Sequence, residues 1–184
     1  MTSEAEPAPL SRIFKVDEIK DGASGEIVAT ATETAAIVGL LDLVRLEGLN
    51  FHYRFDLGAA GRVRLTGRLK ADLTQTCVVS LEPVDTQIGV PVEIEFWPER
   101  LLATPEAGAE PASVTALDWP EPIVGGRIDL GVVAYETLAT ALDPYPKREG
   151  VSFDWSQREP KEAQEAKSGP FAALAALKRG RGST

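Results

Sequence analysis

From Leu49 to Leu57 apolar and polar residues alternate without a break. Leu49, Phe51, Tyr53, Phe55 and Leu57 stand at odd positions, and Asn50, His52, Arg54 and Asp56 at even ones. Period two is the signature of a strand with one buried face. Before Gly48 the phase is inverted, with Val44 and Leu46 apolar, so Gly48 marks a bulge or bend. Gly58 to Gly61 is a turn. Beyond it Val63, Leu65, Leu69, Ala71 and Leu73 share one face, and Arg62, Arg64, Thr66, Arg68, Lys70 and Asp72 the other. Two matched runs about a glycine-flanked turn predict a β-hairpin. The odd phase continues through Cys77, Val79 and Leu81 to a turn at Glu82-Pro83. Ile88, Val90, Val92, Ile94 and Phe96 then predict a further strand that ends at Trp97-Pro98. Consecutive strands with short turns make an antiparallel meander, open or rolled toward a partial barrel.

Around this meander the pattern predicts two helices. Glu33 to Leu41 is rich in apolar residues, with Thr32 placed to cap it. The other opens at Ile128-Asp129-Leu130, with Asp129 as cap and an apolar stripe through Leu130, Val133/Ala134, Thr137/Leu138 and Ala141/Leu142, and Pro144 and Pro146 stop it. Ser11–Val16 and Glu26–Ala31 read as short strands. Residues 103–122, rich in Ala, Pro and Glu, read as a long acidic loop. The expected organisation is a disordered polar tail over 1–10, an α+β domain over 11–146, and 147–184 as a charged linker with a short C-terminal helix that starts at Pro170.

Composition narrows the function classes. A hydrophobic share of 43% in 184 residues suffices to bury a core. No run approaches the roughly 18 apolar residues of a membrane span, and Met1 to Pro7 lacks the basic and apolar regions of a secretory signal. A cytoplasmic protein without membrane or DNA partners is expected. One cysteine (Cys77) and one histidine (His52) leave no internal disulfide, and neither a metal site nor a cofactor is expected. The net charge of −9 is unevenly spread: residues 1–146 hold 11 basic and 23 acidic side chains, residues 147–184 hold 8 and 5. An acidic body repels phosphate at long range and suits a basic partner; the bland reading is solubility.

Catalysis finds little to work with. Any Ser-His-Asp or Cys-His arrangement would have to use His52, which sits mid-strand as an exposed residue. There is no G-x-S-x-G elbow, Walker A loop or dinucleotide fingerprint. The pattern with most chemical content is basic: Arg62, Arg64, Arg68 and Lys70 project from one strand face. With Leu57 paired to Gly61, Asp56 would face Arg62 and Arg54 would face Arg64. Like charges so crowded invite an anion, and an RNA backbone is the expected one, contacted by Arg54, Arg62, Arg64, Arg68 and Lys70. The alternative is that acids such as Glu93 or Glu95 neutralise the stripe. A second candidate is the basic amphipathic end, where Phe171, Leu174, Leu177, Lys178 and Arg179 would meet a partner; a functionless terminus is its bland counterpart.

Three stretches together resemble the YceD family. Gln75-Thr76-Cys77-Val78-Val79-Ser80-Leu81-Glu82-Pro83 is similar to a segment in which many members carry Cys-x-x-Cys, with Ser80 here in the second place. Ile128 to Glu136, running on to Leu142-Asp143-Pro144-Tyr145-Pro146-Lys147, resembles the family's acidic-leucine helix and proline-bounded turn. Gly169-Pro170-Phe171-Ala172-Ala173-Leu174-Ala175-Ala176-Leu177-Lys178 resembles its ending. The resemblance implies a non-catalytic factor needed for normal levels of large-subunit ribosomal RNA. Its implied partners are precursor ribosomal RNA and a ribosomal or assembly protein. A pure protein–protein adaptor is the rival. With Ser80 in the second place, Cys77 supplies neither a chelate nor an intramolecular disulfide and is expected to be a small buried hydrophobe.

Overall fold

The computed structural model describes residues 8–102 and 119–152. The chain divides into two units, Met1–Glu149 and Gly150–Thr184; the first carries the fold set out below. Its elements run β1 (Ile13–Lys15), β2 (Ser24–Val28), α1 (Ala31–Leu40), β3 (Arg45–Leu57), β4 (Val63–Thr76), β5 (Pro83–Pro98), β6 (Glu121–Ile123), β7 (Arg127–Asp129) and α2 (Leu130–Ala141). β2 to β6 form one sheet in chain order, and β1 pairs with β7 in a second, two-stranded one. The architecture is α+β, as the periodicities predict, and the sheet is open: its edges are β2 and β6.

The three long strands make the predicted meander. β3 and β4 are antiparallel with a register shift between Leu46 and Gly48, where the inverted phase placed a bulge. The register itself differs from the expected one. Leu57 pairs with Val63 rather than Gly61, so Asp56 faces Arg64 and Arg54 faces Thr66. The turn is longer because a short helical turn over Ala59–Gly61, with Ala60 at φ 62° and Gly61 at φ 82°, reverses the chain. The displacement is two residues, an even number, so every side chain keeps its predicted face.

Two strand extents also change. β4 stops at Thr76, and Cys77 to Leu81 form a turn; Leu81, expected inward, is 76% exposed with a positive φ. Glu121 and Pro122, expected in the acidic loop, belong to β6, which pairs parallel to β5 and makes the sheet mixed. Its proline, Pro122, is tolerated because β6 is an edge strand. Residues 103–118 of the expected loop lie outside the described residues, as do 1–7.

The inner face of the sheet is the core: Leu49, Phe51 and Phe55 from β3, Val63, Leu65, Leu69, Ala71 and Leu73 from β4, Ile88, Val92 and Phe96 from β5. Gly67 interrupts that row because no Cβ fits there. One would lie 2.4 Å from the His52 carbonyl oxygen and 2.7 Å from the Phe51 ring. Phe14 adds an edge-to-face contact with each of Tyr53 and Phe55, at 5.4 Å between centroids.

Both helices are fixed at their first turns. The cap of α1 lies two residues before the expected one: Thr30 and Glu33 form a reciprocal capping box. Arg12 closes on Glu33 with two hydrogen bonds of 2.6 and 3.0 Å, which holds the Glu33 carboxyl down to about 2. α2 is capped by Asp129 as predicted, through the N–H groups of Gly131 and Val132. Asp129 also accepts from the Arg12 N–H at 2.6 Å, so one carboxylate joins the N-terminal segment to α2. Leu10, placed at the end of the N-terminal tail by the periodicity, is only 1% exposed.

Candidate nucleic-acid interface

The outer face of the sheet carries the predicted basic residues, all five exposed. Cross-strand pairing defines its rows. Lys70 lies between Asn50 and Gly89, Arg68 between His52 and Pro91, Thr66 between Arg54 and Glu93, and Arg64 between Asp56 and Glu95. Arg62 follows at the turn end, beside Trp97 on β5.

Acids from β5 do reach the stripe. Arg64 is ion-paired to Glu93, which raises its guanidinium pKa further. Arg54 is paired to Asp56 at 3.0 Å, and His52 lies 3.5 Å from Glu26. Arg62 stacks on Trp97, 3.9 Å above the ring, while the indole N–H donates to Glu95 at 3.0 Å. The five cations share this face with carboxylates, among them Glu26, Asp56, Asp72, Glu93 and Glu95. The face is therefore two-signed rather than uniformly basic. Such exposed pairs contribute little to stability, but each occupies the cation it holds.

Arg68 and Lys70 differ from Arg54 and Arg64, which are ion-paired, and from Arg62, which among the described residues has no carboxylate partner but stacks on Trp97. Among the described residues neither has a carboxylate within ion-pair distance. Arg68 makes one 3.4 Å hydrogen bond, to the Gly89 carbonyl. The neighbours across the ladder include no acid: Asn50 and His52 on one side, Gly89 and Pro91 on the other. Among the described residues this end of the stripe holds two cations engaged by neither an acid nor an aromatic ring. The periodicity identified the face; it could not separate the five residues, because their partners depend on a register two residues from the expected one. Phe171, Leu174, Leu177, Lys178 and Arg179 lie outside the described residues.

At the far end of β4 the backbone gathers around Cys77. Its sulfur, fully buried, accepts from the N–H groups of Val79, Ser80 and Arg148, each at 3.4 Å. The Ser80 hydroxyl and these amides hold the thiol down to about 6, while burial pushes the other way. Arg148 is in turn ion-paired to Glu82. Cys77 is thus buried as expected, in a polar backbone nest rather than an apolar one. Among the described residues no group of three or more His, Cys, Asp or Glu side chains could hold a metal ion, and no helix is long and apolar enough to cross a membrane.

These features define a small α+β protein whose outer sheet face is a shallow, two-signed surface with one uncompensated basic end. Residues 65–178, from near the start of β4 onward, match the family model described as Large ribosomal RNA subunit accumulation protein YceD. The chain belongs to that family. The family's description is of an accumulation role for large-subunit ribosomal RNA rather than of a catalysed reaction. Comparisons with the curated proteins and with the solved structures return no match.

Proposed function

We propose that this protein acts as a non-catalytic factor in large-subunit biogenesis by contacting precursor ribosomal RNA through the Arg68–Lys70 end of its outer sheet face. The observation that carries the reading is that pair of exposed cations without an acidic partner among the described residues, on a family member whose description concerns large-subunit RNA. Arg62, on Trp97, extends the contact at the turn end; Arg54 and Arg64 serve it only by exchanging Asp56 and Glu93 for phosphate. Cytoplasmic assembly is the setting. The acidic body repels RNA at long range, so the contact is short-ranged and benefits from a ribosomal or assembly protein that brings the two together. Phe171, Leu174, Leu177, Lys178 and Arg179 are proposed for that second contact.

The test is recovery of RNA with the full chain from cells, comparing wild type with Arg68→Glu/Lys70→Glu and with Arg64→Glu. Large-subunit precursor RNA falls in the double variant and stays near wild type in the single one. In vitro, removing two phosphate contacts flattens the log–log salt dependence by about 1.4 for single-stranded RNA. Equal recovery from all three proteins refutes the RNA contact. The mixed charge of the rest of the face favours the rival in that event, an adaptor that binds only protein.

A further inference from the structure

A groove separates α2 from β6 and β7 on the side of the molecule away from the basic stripe. Its volume is about 420 Å³. The floor is Phe96, Ile128 and Val133, each at least nine-tenths buried, and the walls are apolar and open: Ile13 is 58% exposed and Val124 63%. Val132 and Glu136, four apart on α2, line one side on a single helix face. The rim is acidic, with Glu121 from β6 and Glu136 from α2. Asp129 is drawn inward by its bonds to Arg12 and the first turn of α2, and Arg127 is the one cation among the lining residues.

Exposed Ile and Val side chains over an apolar floor exclude a purely polar ligand, and a rim of two free carboxylates selects charge of the other sign. We infer that this groove binds a cationic amphipathic helix of a partner protein, its apolar side chains on Ile13, Val124 and Val132 and its lysines or arginines on Glu121 and Glu136. The mode is helix-in-groove docking. It involves none of the residues assigned to RNA, so the two readings stand or fall separately.

The probe is a fluorescein-labelled amphipathic Lys/Leu helix, titrated with the full chain by fluorescence anisotropy, with a Glu/Leu helix and a scrambled Lys/Leu peptide as controls. The amphipathic cationic probe binds saturably and about tenfold or more tighter than either control, a factor that one desolvated apolar anchor supplies. Val124→Lys, at an exposed site, loses about tenfold. Glu121→Lys/Glu136→Lys loses the cationic probe and gains the acidic one. Arg68→Glu/Lys70→Glu binds the probe like wild type. Absence of saturable binding, or affinity unchanged by both groove variants, overturns the inference, the latter by assigning the attraction to the acidic body as a whole. So does a wild-type dimer in sedimentation that Val124→Lys dissociates, which gives the groove to a second copy. Loss of RNA binding instead of peptide binding in the groove variants overturns it as well.

Discussion

Replacing a helical glycine by alanine ordinarily stabilises a protein, yet Gly131→Ala should destabilise this one. Gly131 is the second residue of α2, and the gain in helix propensity there is at most about 1 kcal/mol. Against it stands the approach of the N-terminal segment. A Cβ at Gly131 would lie 2.5 Å from Ser11 Cα, 2.6 Å from Ser11 N and 2.7 Å from the Leu10 carbonyl carbon. All three are backbone atoms, so no rotamer change relieves the overlap. Overpacking of this kind costs about 1–3 kcal/mol. If the segment lifts instead, the burial of Leu10 is lost, about 1.5–3 kcal/mol, together with the Arg12 bonds to Asp129 and Glu33. The net expectation is a loss of about 1–2 kcal/mol, read in urea denaturation as a midpoint lower by about 0.5–1 M at an ordinary m-value. Gly39 in α1 is the internal control. Its Cβ would have nothing within 4 Å, so Gly39→Ala should stabilise by about 0.5–1 kcal/mol. A Gly131→Ala midpoint at or above the wild-type value would show that the N-terminal segment does not clamp α2.

Two further outcomes follow from the titrating groups. The Glu33 carboxyl is held at about 2 by Arg12 and the Thr30 cap, against an ordinary 4.5. Its folded pKa is depressed, so its stabilisation is complete above pH 4.5 and is lost as pH falls toward 2. Allowing for solvent screening of the partly exposed pair, that is about 1–2 kcal/mol. Glu33→Gln should therefore be less stable than wild type at pH 6 and equal to it near pH 2; a constant difference in urea midpoint refutes the linkage. The Cys77 thiol, held at about 6 against an ordinary 9.0, deprotonates in the folded protein before the unfolded one. Wild type should gain on Cys77→Ser as pH rises from 6 to 9. The buried sulfur should nonetheless resist iodoacetamide, since an opening that costs even about 1.4 kcal/mol slows alkylation tenfold. Alkylation as fast in buffer as in urea would contradict the burial.

The long strands were legible because each has one wet and one dry face, and a period of two survives wherever that holds. β6 was not, since three residues containing a proline show no period, and its pairing with β5 is decided by the tertiary fold. The α1 boundary could have been read: Thr30 stands three before Glu33, the spacing of a capping box, whereas Thr32 has no such partner. The hairpin register was out of reach because the turn turns on Ala60 adopting a positive φ, which an alanine does not advertise. The same limit governed the site. Which strand face is basic follows from parity alone, but which cation is free follows from cross-strand neighbours. The groove at α2 joins residues from five elements that no single stretch of sequence brings together.

The pairing of β1 with β7 sets the order in which the protein can assemble. β3, β4 and β5 are joined by short turns and can form early, while their contacts are local. β1 must wait for its partner, because residue 13 pairs with residue 129. On a growing chain the meander therefore stands half-built, with β4 and β5 lacking the packing of α2 until that helix is made. β1 is synthesised before the meander yet zipped in after it, and the interval between the two is when this protein is most exposed to aggregation or capture by chaperones.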